Sequence, residues 1–215
     1  MNYVIAPSIF GANLGKLEDE IRKMEENNVE LIHLDVMDGH FVEKMAFGPD
    51  HIKAIKSMTK IPIDVHLMVE KPERIIDSVI KSGADIITIH VESSNRLNSC
   101  VEKIKNSGIK AGIVLSPQTS EHSLKYLIDK IDMVLVMTIN PGEDNLGFNN
   151  LMLDKIKNIK KMIGDREIDI EVDGSINNEN IIDCKDAGAN IFVVGSYLFK
   201  GDFSENLNLL RERLD

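Results

Sequence analysis

Four residues carry the first chemical signal: His33 and Asp35 in "ELIHLDV", His66 in "IPIDVHLMV" and Asp173 in "EIDIEVD". Apart from its ionisable groups each stretch is apolar and β-branched, so each reads as a buried strand. Side chains two apart on a strand share a face, which sends His33 and Asp35 one way and Leu34 and Val36 the other. The same parity groups His66 with Met68 and with Asp64 below them, and Asp173 with Glu171. If the aliphatic faces pack outward, two imidazoles and two carboxylates converge inside. Burying these groups singly is costly, whereas one divalent cation satisfies all four. Mixed imidazole and carboxylate ligation suits zinc, iron(II), manganese or cobalt and singles out none of them. An HxD pair alone is more often a hydrogen-bonded structural feature; four matching strand ends favour the metal.

Such convergence needs a scaffold that brings strand ends together. Eight strand candidates recur at nearly even spacing: "YVIAPS", "ELIHLDV", "IPIDVHLMV", "DIITIHV", "IKAGIVL", "DMVLVMT", "EIDIEVD" and "NIFVVGS". Most are separated by amphipathic segments with apolar residues three and four apart, such as "LGKLEDEIRKMEENN", "PERIIDSVIKSG" and "LMLDKIKNIKKMIG". Glycines in "KSGADIITIHV", "NSGIKAGIVL" and "DAGANIFVVGS" fit left-handed helix caps before the next strand. Eight such βα units predict an α/β protein, a closed (β/α)8 TIM barrel formed as a single domain over residues 1–215.

In this architecture the C-terminal strand ends form one mouth, where the chemistry sits. Ser8, His33, Asp35, His66, His90, Asn140, Asp173 and Ser196 all fall at or just past a predicted strand end. His90 has no partner two residues away that adds to the metal set, so it reads as a core or supporting histidine. Asp38 and His40 read as loop-shaping residues. Met37, Met68 and Met137 lie beside the ligands; most methionines only fill a core, but here they would keep water from a charged centre. "VDGS" and "VVGS" put Gly174, Ser175, Gly195 and Ser196 in the seventh and eighth loops, where backbone amides can approach a phosphate.

Composition narrows the partners. The 215 residues are 43% hydrophobic with a net charge of −10, enough apolar content for one core and the wrong sign for nucleic acid or an anionic membrane surface. No apolar run approaches the roughly 18 residues of a membrane span. "MNYVIAPSIF" has neither a basic leader nor a small-residue cleavage site, which predicts a cytoplasmic protein. Cys100 and Cys184 belong to no CxxC pair and read as inert buried thiols. Net acidity must be overcome locally if the substrate is an anion.

The segments "IAPSI", "IHLDVMDGHFV", "DVHLMV", "GADIITIH", "VLVMTINPG" and "IEVDGSI", in this order, resemble the ribulose-phosphate 3-epimerase family from the N-terminus to "VVGS". The resemblance implies a metal-dependent epimerase in which His33, Asp35, His66 and Asp173 hold one divalent ion and Asp35 and Asp173 are the two acid-base groups. Ser8, His66, the three methionines, Gly142 of "NPG" and the two GS loops would line a phosphorylated ketose. D-ribulose 5-phosphate to D-xylulose 5-phosphate is the leading substrate pair. A homo-oligomer is also implied.

One segment departs from the family pattern. Where a glycine-rich lid usually follows "NPG", this chain reads "NPGEDNLGF", with Glu143, Asp144 and Asn145. An acid about 4 Å from a phosphate would cost about 4 kcal/mol at an effective dielectric near 20, so either these acids turn to solvent or the substrate differs. "EVDGSI" also resembles the allulose-6-phosphate 3-epimerase branch. Two other classes remain: a metal-free decarboxylase barrel, disfavoured because Met37 stands where its lysine is needed, and a non-catalytic sugar-phosphate-binding barrel.

Overall fold

The computed structural model describes residues 3–143 and 146–215. Eight parallel strands follow one another around the sheet: β1 (Val4–Pro7), β2 (Ile32–Asp38), β3 (Ile63–Met68), β4 (Ile86–His90), β5 (Lys110–Leu115), β6 (Met133–Met137), β7 (Asp169–Asp173) and β8 (Ile191–Val194). All eight sequence-predicted strands form, each within a few residues of its quoted run. β1 pairs with β8, and a single parallel bridge between Ser8 and His33 closes β1 onto β2. The sheet is thus a barrel, with a two-residue strand, Met45–Ala46, folded back antiparallel on the end of β2.

Helices α1 (Leu17–Glu26), α2 (Pro49–Met58), α3 (Ile76–Lys81), α4 (Leu97–Asn106), α5 (Met152–Ile163), α6 (Ile181–Ala187), α7 (Ser196–Phe199) and α8 (Phe203–Leu214) surround it. Between β5 and β6 only short 3-10 turns, Glu121–Leu124 and Ile128–Lys130, take the helix position. Gly83, Gly108 and Gly188 have positive φ at the ends of α3, α4 and α6, the left-handed caps that the helix-to-strand junctions predict. Among the described residues no helix is long and apolar enough to cross a membrane.

The main core lies between barrel and helices. Leu34, Val36, Val65, Leu67, Ile87, Ile89, Val134, Val136 and Val172 pack outward against helical residues such as Ile21, Ile52, Val79, Ile104, Ile156 and Leu207. This outward set consumes one parity of every strand, so the other parity must fill the barrel. Its lower end is apolar, with Ala6, Leu31, Ile86, Met133, Ile191 and Val193 in one cluster. The polar strand residues sit above that plug.

Candidate active site

Strand register builds the cluster. Asp35 lies opposite His66 and His33 opposite Asp64 in the β2–β3 pairing, so their side chains are neighbours on one face. His33 Nε2 is 3.2 Å from Asp35 Oδ1, and His66 Nδ1 is 3.3 Å from the same oxygen. From the far side of the barrel, Asp173 Oδ2 reaches within 3.9 Å of His33 Nε2 and 3.7 Å of His66 Nδ1. One donor atom from each of His33, Asp35, His66 and Asp173 lies within 4.8 Å of the others.

A second layer orients these groups. His33 Nδ1 lies 2.7 Å from Asp64 Oδ2, so its N–H donates downward and the ring turns Nε2 toward the cluster. Glu171 Oε1 stands farther off, 3.6 Å from the same nitrogen. Ser8 Oγ donates to Asp35 Oδ2 at 2.8 Å. His90, fully buried, places Nε2 2.9 Å from His66 Nε2 and Nδ1 3.2 Å from Glu92 Oε2.

The electrostatics separate the two candidate acid-base groups. Burial opposes ionisation of Asp35, but His33 and His66 outweigh it and hold this carboxyl well below the usual range. Burial and then the Asp35 charge push Asp173 up to about 6. Burial followed by the Asp64 charge pushes Glu171 up to about 8. Burial alone would lower His33, yet Asp35, Asp64 and Glu171 hold it well above the ordinary imidazole value. Burial lowers His90 to about 4, so it is neutral at pH 7.

Four carboxyl groups, those of Asp35, Asp64, Glu171 and Asp173, crowd two imidazoles inside the barrel. His66 Nδ1 is buried, aimed into the cluster and without a hydrogen bond. An orphaned nitrogen beside two carboxylates, with oxygen and nitrogen donors within one coordination radius, fits a first-row divalent ion. His33, Asp35, His66 and Asp173 are the residues that could hold it.

Above the cluster opens a cavity of about 290 Å³, floored by Asp35 and Asp173. Met37, Met68 and Met137 form part of its wall, and Gly174, Ser175, Gly195 and Ser196 line one side of the mouth. Ser175 holds a left-handed backbone, φ 54°, and its hydroxyl donates to Leu146 O at 2.6 Å. Gly174 at φ 125° packs so closely that a Cβ would lie 2.6 Å from Ile139 Cγ1.

The sequence profile described as "Ribulose-phosphate 3 epimerase family" matches residues 4–199, nearly the whole chain. The chain belongs to the ribulose-phosphate 3-epimerase family. A protein of Bacillus subtilis named ribulose-phosphate 3-epimerase is 41% identical over 198 residues, covering 91% of each chain. Its namesake from Escherichia coli K12 is 37% identical, covering 99% of this chain and 96% of its own. Among solved structures, 3-keto-L-gulonate-6-phosphate decarboxylase of Vibrio cholerae superposes with a TM-score of 0.77 at 15% identity, over 100% of this chain and 97% of that one. 3-Hexulose-6-phosphate synthase of Salmonella typhimurium gives 0.76 at 16%, covering 98% of each. At such identities these two likenesses concern the barrel alone.

In this family member the sequence-predicted site residues gather at one mouth: Ser8, Asp35, Met37, Met68, Met137, Gly142, Asp173, Gly174, Ser175, Gly195 and Ser196 line the cavity, with His33 and His66 beneath it. Asp38 shapes its loop as expected, accepting from the His40, Phe41 and Glu70 amides. Asn140 instead faces Glu143, with Nδ2 3.3 Å from the carboxylate. Glu143 is exposed yet borders the cavity, while Asp144 and Asn145 lie outside the described residues. His90 is the buried supporting histidine that the sequence suggests: it touches His66 directly, and Glu92, two residues on, is its own partner outside the metal set. Strand parity misses Glu92 because it lies beyond β4, where the alternation ends; the H-x-E spacing in "HVE" was the available signal. Lys44, above Phe10 at 5.4 Å, also borders the cavity and was not foreseen, since a lone lysine in a loop carries no pattern.

Proposed function

We propose that this protein is an isomerase that inverts C3 of D-ribulose 5-phosphate to give D-xylulose 5-phosphate. The observation that carries this reading is the meeting of Asp35 from β2 and Asp173 from β7, with His33 and His66, on the floor of one cavity. Epimerisation beside a ketone breaks the C3–H bond from one face and forms a new one from the other, through an enediolate. Two carboxylates from opposite walls suit that task. One takes the C3 proton as its oxygen becomes O–H; the other gives a proton to the opposite face.

His33, Asp35, His66 and Asp173 would hold one divalent ion, which when bound supplies Lewis-acid stabilisation of charge developing on the ketone oxygen. Ser8 fixes the Asp35 carboxylate from the β1 side. Met37, Met68 and Met137 shield both carboxylates from bulk water, which strengthens local electrostatics. Gly174, Ser175, Gly195 and Ser196 offer small residues and backbone amides to the phosphate, with Lys44 as a nearby cation. The partner is therefore a phosphorylated ketose, and the reading carries with it a cytoplasmic, self-associating enzyme.

The test is exchange of the substrate C3 proton with solvent deuterium. Wild type should exchange and epimerise ribulose 5-phosphate faster than allulose 6-phosphate or erythrulose 4-phosphate, and Asp35→Asn or Asp173→Asn should each cost about 10²–10⁴-fold. Metal-replete protein that exchanges none of these ketose phosphates defeats the proposal. A preference for allulose 6-phosphate would reassign the substrate and keep the chemistry.

A further inference from the structure

A chain of hydrogen-bonding groups leads away from the cluster through β4. His66 Nδ1 faces Asp35 and Asp173, while its Nε2 lies 2.9 Å from His90 Nε2. His90 Nδ1 lies 3.2 Å from Glu92 Oε2. Glu92 is itself anchored, because Oε1 accepts from the Ser116 amide at 3.0 Å and from the Thr119 hydroxyl. Phe41 covers the His90 ring at a centroid distance of 4.6 Å, and both imidazoles are fully buried. Water is thus kept from the contact between the two imidazoles, while Glu92 stands at the exposed end of the chain.

Two nitrogens 2.9 Å apart share one proton between them, so the chain has a direction. A carboxylate only accepts. Glu92 therefore draws the His90 proton to Nδ1, leaving His90 Nε2 as an acceptor. His66 must then carry its proton on Nε2, and its Nδ1 lone pair is bare toward the cluster. The opposite polarity would aim an N–H at the centre and block ligation.

The geometry points to Glu92 and His90 as positioning residues that set the His66 tautomer, so that a carboxylate above β4 prepares one ligand of the metal site from two residues away in space. On the other ligand, His33, Asp64 makes the same kind of contact directly. The inference rests on the metal-binding reading above and extends it to a carboxylate bound to substrate in no way.

Ser116 Oγ, 3.4 Å from His90 Nδ1, could accept the proton if Glu92 were removed, so the variants are made in a Ser116→Ala background. Zinc affinity is measured by competition with a chromophoric chelator for Ser116→Ala, Glu92→Ala/Ser116→Ala and Glu92→Gln/Ser116→Ala. Nitrogen-15 spectra of zinc-loaded wild type report which ring nitrogens carry protons. Support consists of His90 protonated at Nδ1 and His66 at Nε2, a loss of about 10–100-fold in zinc affinity for the alanine variant, and substantial recovery with glutamine, whose carbonyl still accepts. Unchanged zinc affinity in the alanine variant, or His90 protonated at Nε2 in wild type, overturns the relay. The wild-type spectrum decides the matter if the variants do not fold. Wild type that binds no divalent ion would instead sink the metal-site reading beneath it.

Discussion

Ser8 and Asp35 are joined across the closing seam of the barrel: Ser8 Oγ donates to Asp35 Oδ2 at 2.8 Å, next to the backbone bridge from Ser8 to His33. The seam that completes the fold is thereby also a support of the proposed acid-base carboxylate. Ser8→Ala leaves the buried Oδ2 without this donor, at a stability cost of about 1 kcal/mol. Turnover should fall about tenfold with the fold retained. Urea titration and steady-state assays check the two effects separately, and unchanged turnover would show that the bond does not orient Asp35.

The layer beneath the site makes a sharper comparison. Asp64 accepts from His33 at 2.7 Å, whereas neither oxygen of Glu171 has a hydrogen-bond partner. Asp64→Asn should weaken metal binding by about 10–100-fold by disturbing the orientation of His33. Glu171→Gln should perturb it far less. Metal content after dialysis against a chelator series measures both, and the reverse ranking would show that Glu171 is the group that holds His33.

At the mouth, Gly174 is required by space as well as by backbone angle. A Cβ there would lie 2.6 Å from Ile139 Cγ1 and 2.8 Å from Ile139 N, at φ 125°. Gly174→Ala should lose about 2–6 kcal/mol, combining an unfavourable backbone with overpacking. The urea midpoint is the measurement. A midpoint equal to wild type would contradict this close approach.

Glu92 predicts an acid limb of stability. Burial works to raise its pKa, but hydrogen bonds from His90 and Thr119 outweigh it and lower the value from 4.5 to about 2. A depressed carboxylate stabilises the fold fully above its unfolded pKa, and that contribution disappears as pH falls through the folded value. Wild type should therefore exceed Glu92→Gln in stability at pH 7, with the gap narrowing between about pH 5 and 2. Thermal melts across that range test the sign. A gap that widens on acidification would mean that Glu92 is not held as a carboxylate.

Much of the site was legible because strand geometry is local. Period-two alternation alone sorts His33 and Asp35 from Leu34 and Val36, and the even recurrence of βα units requires that strand ends meet. Lys44 was not legible, and Glu92 only through its H-x-E spacing, since both lie in loops where neither period applies. The short 3-10 turns between β5 and β6 also escaped notice, because a weak amphipathic pattern there does not announce a missing helix.

The chain by itself determined which strand faces carry ionisable groups, since the parity of each strand is a property of the backbone. Only the tertiary structure decided that His66 rests on His90, that His90 reaches Glu92, and that Ser8 meets both His33 and Asp35. Those contacts depend on inter-strand register and on closure of the barrel, which bring together side chains between 24 and 27 positions apart for His66–His90 and Ser8–Asp35. No local pattern encodes that closure; it follows from packing the outward aliphatic faces of all eight strands under one layer of helices.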